Sequence, residues 1–189
     1  MNNISERISA LTPEQRALFD ARLKQKGLRT DVTAVQTIPR RQDRDSATCP
    51  ASIDQERLWF IDQLQPGNTA YNIFNASRIR GSLNIPIMER VINELIQRHE
   101  VLRTTLKSVD GLPVQVISPA LKIDLEPVSL EHLPEAERYD EAVRLTTEEF
   151  ARPFDLEKDP LVRVGLLRLA EDDYVLQVNM HHAITDRWS

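Results

Sequence analysis

The sequence predicts a mixed α/β fold, and patterns of three kinds support this prediction. Capping boxes at residues 12–15 and 52–55 predict helix starts, because a Thr or Ser is followed three residues later by Gln. The dipeptide Asp110-Gly111 favours a turn in which both residues have positive φ, and it predicts a β-hairpin. Residues 161–169 and 174–180 are apolar runs of strand length, and they predict a pair of buried antiparallel strands.

The first 50 residues are predicted to hold a short helix and a linker. The helix follows the box at residues 12–15 and Gly27 supplies a C-terminal stop, so residues 1–27 form the first predicted segment. Residues 28–50 are mostly polar and show no persistent periodicity, which is typical of a linker. The one cysteine, Cys49, falls in this stretch and is interpreted as a linker thiol. The folded domain is therefore expected to span residues 51–189.

Two helices and a strand are predicted at the start of this domain. The helix that follows Ser52 ends at Pro66-Gly67, and its apolar face would carry Leu58, Ile61 and Leu64. Residues 71–80 alternate between apolar and polar side chains and predict a strand. Asn84 is expected to cap a second helix, which ends near His99 and whose apolar residues Ile87, Val91 and Leu95 repeat at helical spacing.

The middle of the chain is predicted to contain a hairpin, an edge strand and a helix. Residues 101–106 and 114–117 flank Asp110-Gly111 and would be the two strands of the hairpin. Residues 123–128 would add an edge strand to a sheet. Residues 135–150 would form a helix of about four turns, and its apolar side would carry Ala136, Tyr139, Val143 and Phe150.

The composition excludes several classes of protein. The 189 residues suffice for one domain with a short appendage. The 24 basic and 29 acidic residues are interspersed and give a formal net charge of −5, so nucleic acids and anionic membranes are not expected partners. Every apolar run is far shorter than the roughly 20 residues of a membrane-spanning helix. The amino terminus lacks the pattern of a secretory signal, so the cytoplasm is the expected location.

Residues suited to catalysis lie at the end of the last predicted strand. His181 and His182 end this strand, and Asp186 follows four residues after His182. A neutral imidazole accepts a proton at cellular pH, and a nearby carboxylate fixes its orientation. Neighbouring side chains on a strand point to opposite faces, so only one histidine is a candidate base, and a zinc site that uses both is disfavoured. Packing of one histidine in the core and of the other in a turn would explain the pair without any activity.

Four segments of the chain resemble nonribosomal peptide synthetase condensation domains. Residues 180–189, Met-His-His-Ala-Ile-Thr-Asp-Arg-Trp-Ser, resemble the HHxxxDGWS motif of that family. Residues 52–60 resemble its first motif, and residues 98–105 resemble its second. Arg152-Pro153-Phe154-Asp155-Leu156, followed by Pro160-Leu161-Val162-Arg163, is similar to a further stretch typical of the family. The motifs stand in the family's order, and the resemblance covers residues 50–189.

The resemblance implies a two-lobed acyltransferase in which each lobe resembles chloramphenicol acetyltransferase and a tunnel runs between the lobes. This chain would be the N-terminal lobe, a mixed sheet with packed helices, cut off before the second lobe and therefore inactive alone. Donor and acceptor peptidyl carrier proteins would present their groups on 4′-phosphopantetheine arms, and an adenylation domain would be a further partner. No cofactor and no metal are expected on this chain itself.

The resemblance also implies roles for five residues. His182 would be either a general base or an orienter of the attacking amine, while His181 and Asp186 would hold the loop in shape. Arg187 and Trp188 would contact the substrate. Arg187 stands where the family has glycine, and its length would alter access of the acceptor.

Other functions fit the same residues. The chain would serve as a non-catalytic module if it only docks a carrier protein or a synthetase subunit, with residues 1–27 as a candidate docking segment. Another acyltransferase with an HxxxD motif, acting on coenzyme A, is a further alternative, but the first two motifs argue against it. The pair His181-His182 distinguishes the chain from cyclization domains, whose motif has aspartate in place of the first histidine.

Overall fold

The structure, a computed structural model, describes residues 11–13, 15–17 and 48–186 of a chain that divides into two units, Met1–Asp43 and Arg44–Ser189. In the first unit the predicted capping box is present. Thr12 N–H donates to Gln15 Oε1 at 3.1 Å, and Gln15 N–H donates to Thr12 Oγ1 at 3.3 Å. The other residues of the predicted helix 1–27, and residues 28–47 of the predicted linker, lie outside the described residues.

Residues 48–186 alternate between strands and helices. In chain order the elements are β1 (Thr48–Pro50), α1 (Ile53–Leu64), β2 (Asn72–Arg80), α2 (Ile85–Arg98), a 3₁₀-helix (Glu100–Arg103), β3 (Thr104–Val109), β4 (Leu112–Ile117), β5 (Val128–Ser129), α3 (Glu135–Phe150), β6 (Val162–Ala170) and β7 (Asp173–His181). Among the helices of the described ranges, none combines the length and the apolarity that crossing a membrane requires.

The larger sheet has the strand order β2-β7-β6-β5, so β7 lies between two partners. It pairs antiparallel with β2 from Asp173, opposite Arg80, to His181, opposite Asn72. It also pairs antiparallel with β6, which confirms the predicted strand pair with its ends shifted by one residue. The edge strand β5 is parallel to β6.

The smaller sheet has the order β1-β4-β3 and contains the predicted hairpin. Asp110 has φ 53° and Gly111 has φ 80°, so both turn residues adopt the left-handed conformation that the dipeptide favours. The first hairpin strand begins later than predicted. Residues 101–103 belong to the 3₁₀-helix, where Leu102 N–H donates to the His99 carbonyl oxygen at 3.0 Å.

Helices cover both faces of the larger sheet. Successive residues of β6 point to opposite faces, so this strand contributes to the core on each side. On one face α3 contributes Ala142 to a core cluster with residues of the sheet and of the loop after β5: Leu130, Leu167, Leu169 and Val175. On the other face Leu166 and Tyr174 pack against residues of α2, namely Ile85, Met88 and Ile92. A third cluster joins α1, β3 and the end of β7 through Leu58, Leu106, Phe154, Leu156, Leu161, Val162, Ala183 and Ile184. The predicted mixed α/β fold class is confirmed.

The predicted N-caps of α1 and α2 are confirmed. Ser52 and Gln55 form a reciprocal capping box, and Asn84 Oδ1 accepts a hydrogen bond from Ile87 N–H at 3.0 Å. The C-cap of α2 is His99, as predicted. Leu64, predicted on the same face of α1 as Leu58, is 66% exposed, because the cluster that buries Leu58 does not extend to the last turn of the helix.

The apolar positions that repeat in the sequence of α2 do not form its buried face. Ile87, Val91 and Leu95 are each about half exposed, whereas Ile96 is 2% exposed and its neighbours along the same stripe, Met88 and Ile92, pack on the sheet. One residue corresponds to about 100° around a helix. The apolar arc of α2 is therefore wider than the arc that the protein covers, and one apolar stripe, Ile87, Val91 and Leu95, remains at the surface.

Polar contacts of α2 explain which of its faces is buried. The same contacts explain why the strand predicted at residues 123–128 is wrong. Asn93 Nδ2 donates to the Ile123 carbonyl oxygen at 2.8 Å, and Asn93 Oδ1 accepts from Ile123 N–H at 2.8 Å. Glu89 Oε2 accepts from Leu125 N–H at 3.0 Å. Side chains of α2 thus satisfy backbone groups that a strand would bond. Within residues 123–128 only the last residue, Val128, is in a strand, the two-residue β5 that it forms with Ser129.

The bounds of α3 agree with the prediction, but its predicted apolar side does not face the sheet. Tyr139 and Val143 are about half exposed, whereas Ala142 and Thr146 are buried. Polar anchors set this orientation. Gln177 Nε2 donates to Thr146 Oγ1 at 2.6 Å, and the Arg138 guanidinium donates to three carbonyl oxygens, those of Glu131, Leu133 and Leu169.

Residues 48–50, predicted as the end of the linker, form β1. They pair antiparallel with residues 114–116 of β4, and Gln115 Nε2 donates to the Pro50 carbonyl oxygen at 2.9 Å. Cys49, interpreted from the sequence as a linker thiol, is half-buried in this strand. Backbone pairing thus begins at Thr48, three residues before the position at which the folded domain is predicted to begin.

The orientation of α2 predicts different stabilities for variants of two adjacent residues, Ile96 and Leu95. Ile96→Ala should lower the free energy of unfolding by about 2–5 kcal/mol, since it removes a buried side chain. Leu95→Ala should change it by less than about 1 kcal/mol, since Leu95 is half exposed. Urea unfolding followed by circular dichroism measures both values. A larger loss for Leu95→Ala than for Ile96→Ala would show that Leu95, and not Ile96, faces the core.

Candidate active site

The candidate site is the turn that follows β7, and its backbone is held from both sides. His181 N–H donates to the Leu161 carbonyl oxygen at 2.9 Å, and His182 N–H donates to the Tyr71 carbonyl oxygen at 2.9 Å. These bonds continue the pairing of β7 beyond its neighbouring strands. Ile184 N–H then donates to the His181 carbonyl oxygen at 3.1 Å and closes the turn. The strand therefore delivers the two histidines at a fixed position.

The His181 side chain is buried, with 4% of its surface exposed. Its Nδ1 accepts a hydrogen bond from Ala183 N–H at 3.1 Å, so this nitrogen carries no proton. The ring lies near Tyr71 and Phe154, with centroid distances of 6.4 Å and 6.1 Å. Burial, and secondarily the charge of His182, lower the pKa of His181 to about 4. His181 is therefore a neutral acceptor that shapes the turn.

The His182 side chain is exposed and has a different environment. Its Nδ1 lies 2.8 Å from the Thr185 carbonyl oxygen. A carbonyl oxygen only accepts hydrogen bonds, so Nδ1 carries a proton, and in the neutral ring Nε2 keeps the lone pair. This tautomer is the one that a general base at Nε2 requires. The two histidines thus differ as alternation along a strand predicts, one inside the core and one outside it.

His182 and Asp186 line the same open cavity, which has a volume of about 450 Å³. Asp54 and Arg57 of α1 also line this cavity, together with Tyr71. The structure therefore brings two of the predicted site residues together with a basic and an acidic side chain of α1. His181 lies behind this cavity in the core. Arg187 and Trp188, predicted to contact substrate, lie outside the described residues.

Metal binding finds no support in this part of the chain. Within residues 11–13, 15–17 and 48–186, no three His, Cys, Asp or Glu side chains are placed so that they would hold one ion. The Nδ1 atoms of both histidines are engaged with protein groups, Ala183 N–H for His181 and the Thr185 carbonyl for His182.

Gln55 is a site residue that the sequence analysis assigned only to helix capping. Its side chain is buried, and its Nε2 donates to the Ala183 carbonyl oxygen at 3.0 Å, in the middle of the histidine turn. A capping box needs only the Oε1 atom of this glutamine. The NH₂ group of Gln55, which the capping box does not use, lies within the motif at residues 52–60, and this was the signal available in the sequence.

Arg163 supports the core side of the turn. Its guanidinium stacks 3.7 Å from the centroid of the Phe154 ring, and Nε lies 2.7 Å from Glu149 Oε1. Arg163 Nη1 also donates to the Pro153 carbonyl oxygen at 3.1 Å. Since Phe154 meets the His181 ring edge-on, these contacts fix one wall of the pocket that holds the buried imidazole.

Comparison with known proteins gives consistent matches. The sequence model of the family described as "Condensation domain" matches residues 45–189. One of the linear gramicidin synthase proteins of Brevibacillus parabrevis is 47% identical over 140 residues, which are 74% of this chain and 2% of that protein. Phosphinothricin tripeptide synthetase PhsC of Streptomyces viridochromogenes is 41% identical over 189 residues, which are 100% of this chain and 17% of that protein.

A solved structure shows the same fold. The starter condensation domain of rhizomide synthetase RzmA matches with a TM-score of 0.68 at 24% identity. The match covers 76% of this chain and 36% of that one. The chain therefore spans only a small part of the relatives it matches.

The low pKa of His181 predicts a loss of stability in acid. Below about pH 6.5, the ordinary pKa of histidine, the unfolded chain binds a proton at this residue that the folded chain does not bind. The free energy of unfolding should therefore fall as the pH drops from about 6.5 to about 4, by on the order of 2–3 kcal/mol from this residue.

Urea unfolding at pH 7 and pH 4.5 measures this loss. His181→Asn is the matched control, because its side-chain oxygen would still accept a hydrogen bond from Ala183 N–H and does not titrate. The carboxylates are common to both proteins, so the difference isolates His181. Equal losses in the two proteins would show that His181 titrates normally in the folded state.

Proposed function

The chain belongs to the condensation domain family, and from this membership we propose that it contributes one lobe of an acyltransferase that forms amide bonds in nonribosomal peptide synthesis. The observation that carries the proposal is the state of His182. Its imidazole is exposed, its Nδ1 proton is held by the Thr185 carbonyl, and its Nε2 lone pair is available for an incoming proton. The substrates are a thioester and an amine, each bound to a carrier protein.

In the proposed reaction the amine nitrogen attacks the carbonyl carbon of the thioester. The new C–N bond forms and the C–S bond breaks. As positive charge develops on the nitrogen, its proton passes to Nε2 of His182, and the His182 imidazolium then gives a proton to the departing thiolate sulfur, so that the imidazole is neutral again. The phosphopantetheine arms belong to the carrier proteins and enter as parts of the substrates.

The residues around His182 have supporting roles in this proposal. His181 stays neutral and holds the Ala183 peptide. Asp186, which lines the same cavity, supports the turn and balances the positive charge that His182 acquires. Arg187 and Trp188 remain proposed substrate contacts, on the strength of the motif alone.

The other parts of the condensation domain are proposed to lie outside these 189 residues. The chain spans 36% of the starter condensation domain that it matches and far less of the synthetases. We therefore expect the 189 residues alone to form no amide. Donor and acceptor carrier proteins and an adenylation domain are the proposed partners.

In a synthetase that contains this chain within a complete condensation domain, His182→Ala should slow amide formation by roughly 10²–10⁴-fold. His181→Ala should slow it much less, provided that the variant folds, because His181 is buried and does not reach the cavity. Single-turnover rates measure both effects. The carrier proteins would be loaded with a panel of aminoacyl-phosphopantetheine groups, and the best wild-type pair would be used throughout.

Circular dichroism of each variant is the control for folding. Equal rate losses from the two histidine changes would contradict the assignment of His182 as the base. Full activity of His182→Ala would contradict the acyltransferase role of this turn and would favour the alternative function, docking of a carrier protein or subunit.

A further inference from the structure

The side chain of Gln55 connects the start of α1 with the histidine turn. Gln55 Oε1 accepts from Ser52 N–H at 2.9 Å, which belongs to the capping box. Gln55 Nε2 donates to the Ala183 carbonyl oxygen at 3.0 Å and to Gln115 Oε1 at 3.3 Å. Both protons and the oxygen of this buried amide therefore have partners, and the partners come from three separate parts of the chain.

The orientation of the Gln55 amide is fixed by its neighbours. Gln115 Nε2 donates to the Pro50 carbonyl oxygen at 2.9 Å, so Gln115 Oε1 is the atom that faces Gln55. A rotated Gln55 amide would place its NH₂ group against Ser52 N–H and its oxygen against two acceptors. Such an arrangement loses three hydrogen bonds in a buried place.

Ala183 is the point at which this amide acts on the site. Ala183 is buried. Its N–H, in the peptide group that follows His182, is bonded to His181 Nδ1, and its carbonyl, in the next peptide group, is bonded to Gln55 Nε2. Ala183 is adjacent to His182 and lies two residues before Thr185, whose carbonyl holds the His182 ring. The peptide group that Gln55 holds, between Ala183 and Ile184, lies between the two ends of this contact, so its rotation would move Thr185 relative to the His182 ring.

We propose that Gln55 is a positioning residue for His182: its amide holds the Ala183 carbonyl so that the His182 ring stays on Thr185 with Nε2 toward the cavity. This proposal rests on the proposed function in that it gives the orientation of His182 a catalytic purpose. The orientation itself is measurable without any activity.

The test uses a substitution that separates capping from positioning. Gln55→Glu keeps an oxygen acceptor for Ser52 N–H, because Glu and Gln serve equally at this position of a capping box. When ionised, Glu lacks any donor for the Ala183 carbonyl. The matched control is Ser52→Ala, which removes the side-chain half of the cap, Gln55 N–H to Ser52 Oγ, and leaves the bond from Gln55 to Ala183.

The first readout is the ¹⁵N NMR spectrum of the His182 imidazole in the 189-residue chain. In the wild-type chain and in Ser52→Ala, the proton should reside on Nδ1. In Gln55→Glu the two tautomers should be mixed, since the Thr185 carbonyl is displaced. If Gln55→Glu does not fold, Gln55→Met provides a neutral side chain of similar length without donors, and the same mixture is expected.

The second readout is turnover in a synthetase that contains the complete domain, with the aminoacyl-loaded carrier proteins described above. Gln55→Glu should lower kcat by roughly 10- to 100-fold with KM nearly unchanged, because misplacing a catalytic group costs rate and leaves binding intact. Ser52→Ala should retain the wild-type kcat.

An unchanged His182 tautomer in Gln55→Glu or Gln55→Met would overturn the proposal, and so would a kcat loss shared equally by Ser52→Ala. A changed tautomer supports it. If His182→Ala is fully active, the proposed function fails, and the NMR comparison still decides whether Gln55 positions the ring.

Discussion

The position of β7 between β2 and β6 is the constraint on which the rest of the site depends. All nine residues of β7 pair with β2, and eight of them also pair with β6. Bonds from His181 to Leu161 and from His182 to Tyr71 extend this pairing into the turn. A strand fixed on both edges cannot slip by one residue without exchanging its buried and exposed faces. The register of the sheet therefore determines which histidine enters the core and which meets solvent.

The two histidines show how surroundings assign different chemistry to identical side chains. His181 is enclosed by Tyr71 and Phe154, and its pKa is lowered because the buried imidazolium would lose its hydration. It therefore remains an acceptor over the physiological pH range and holds the Ala183 peptide. His182 keeps its lone pair on the exposed nitrogen. The buried residue supplies shape, and the exposed residue supplies the reactive atom.

Much of the fold was predictable from the sequence because its signals are local. Capping residues such as Asn84, the dipeptide Asp110-Gly111 and the apolar strands near the carboxyl end act within a few residues of themselves. The predicted site residues His182 and Asp186 do line one cavity, and it was the resemblance to a family that singled them out.

The errors concern contacts between distant parts of the chain. Apolar spacing assigned Val91 and Tyr139 to apolar helix faces, yet polar anchors such as Asn93 and Arg138 orient the two helices so that both side chains are half exposed. The contact from Gln55 to Ala183 joins residues 128 positions apart, so no local pattern announces it. Such contacts become visible only when the strands and helices are assembled.

Strand β1 has a consequence for where this polypeptide tolerates cleavage. Pro50 is two residues from the cap of α1, and its carbonyl oxygen holds the Gln115 amide, which in turn meets the Gln55 amide. A protease that cuts before Thr48 would leave this relay of amides intact. A cut between Pro50 and Ser52 would separate β1 from α1 in the chain. If β1 then left the sheet, Gln115 would lose the bond that orients its amide, and Gln55 would lose one of the two acceptors of its NH₂ group. The edge strand of the smaller sheet is thus connected to the site through two side-chain amides, although its sequence is typical of a linker.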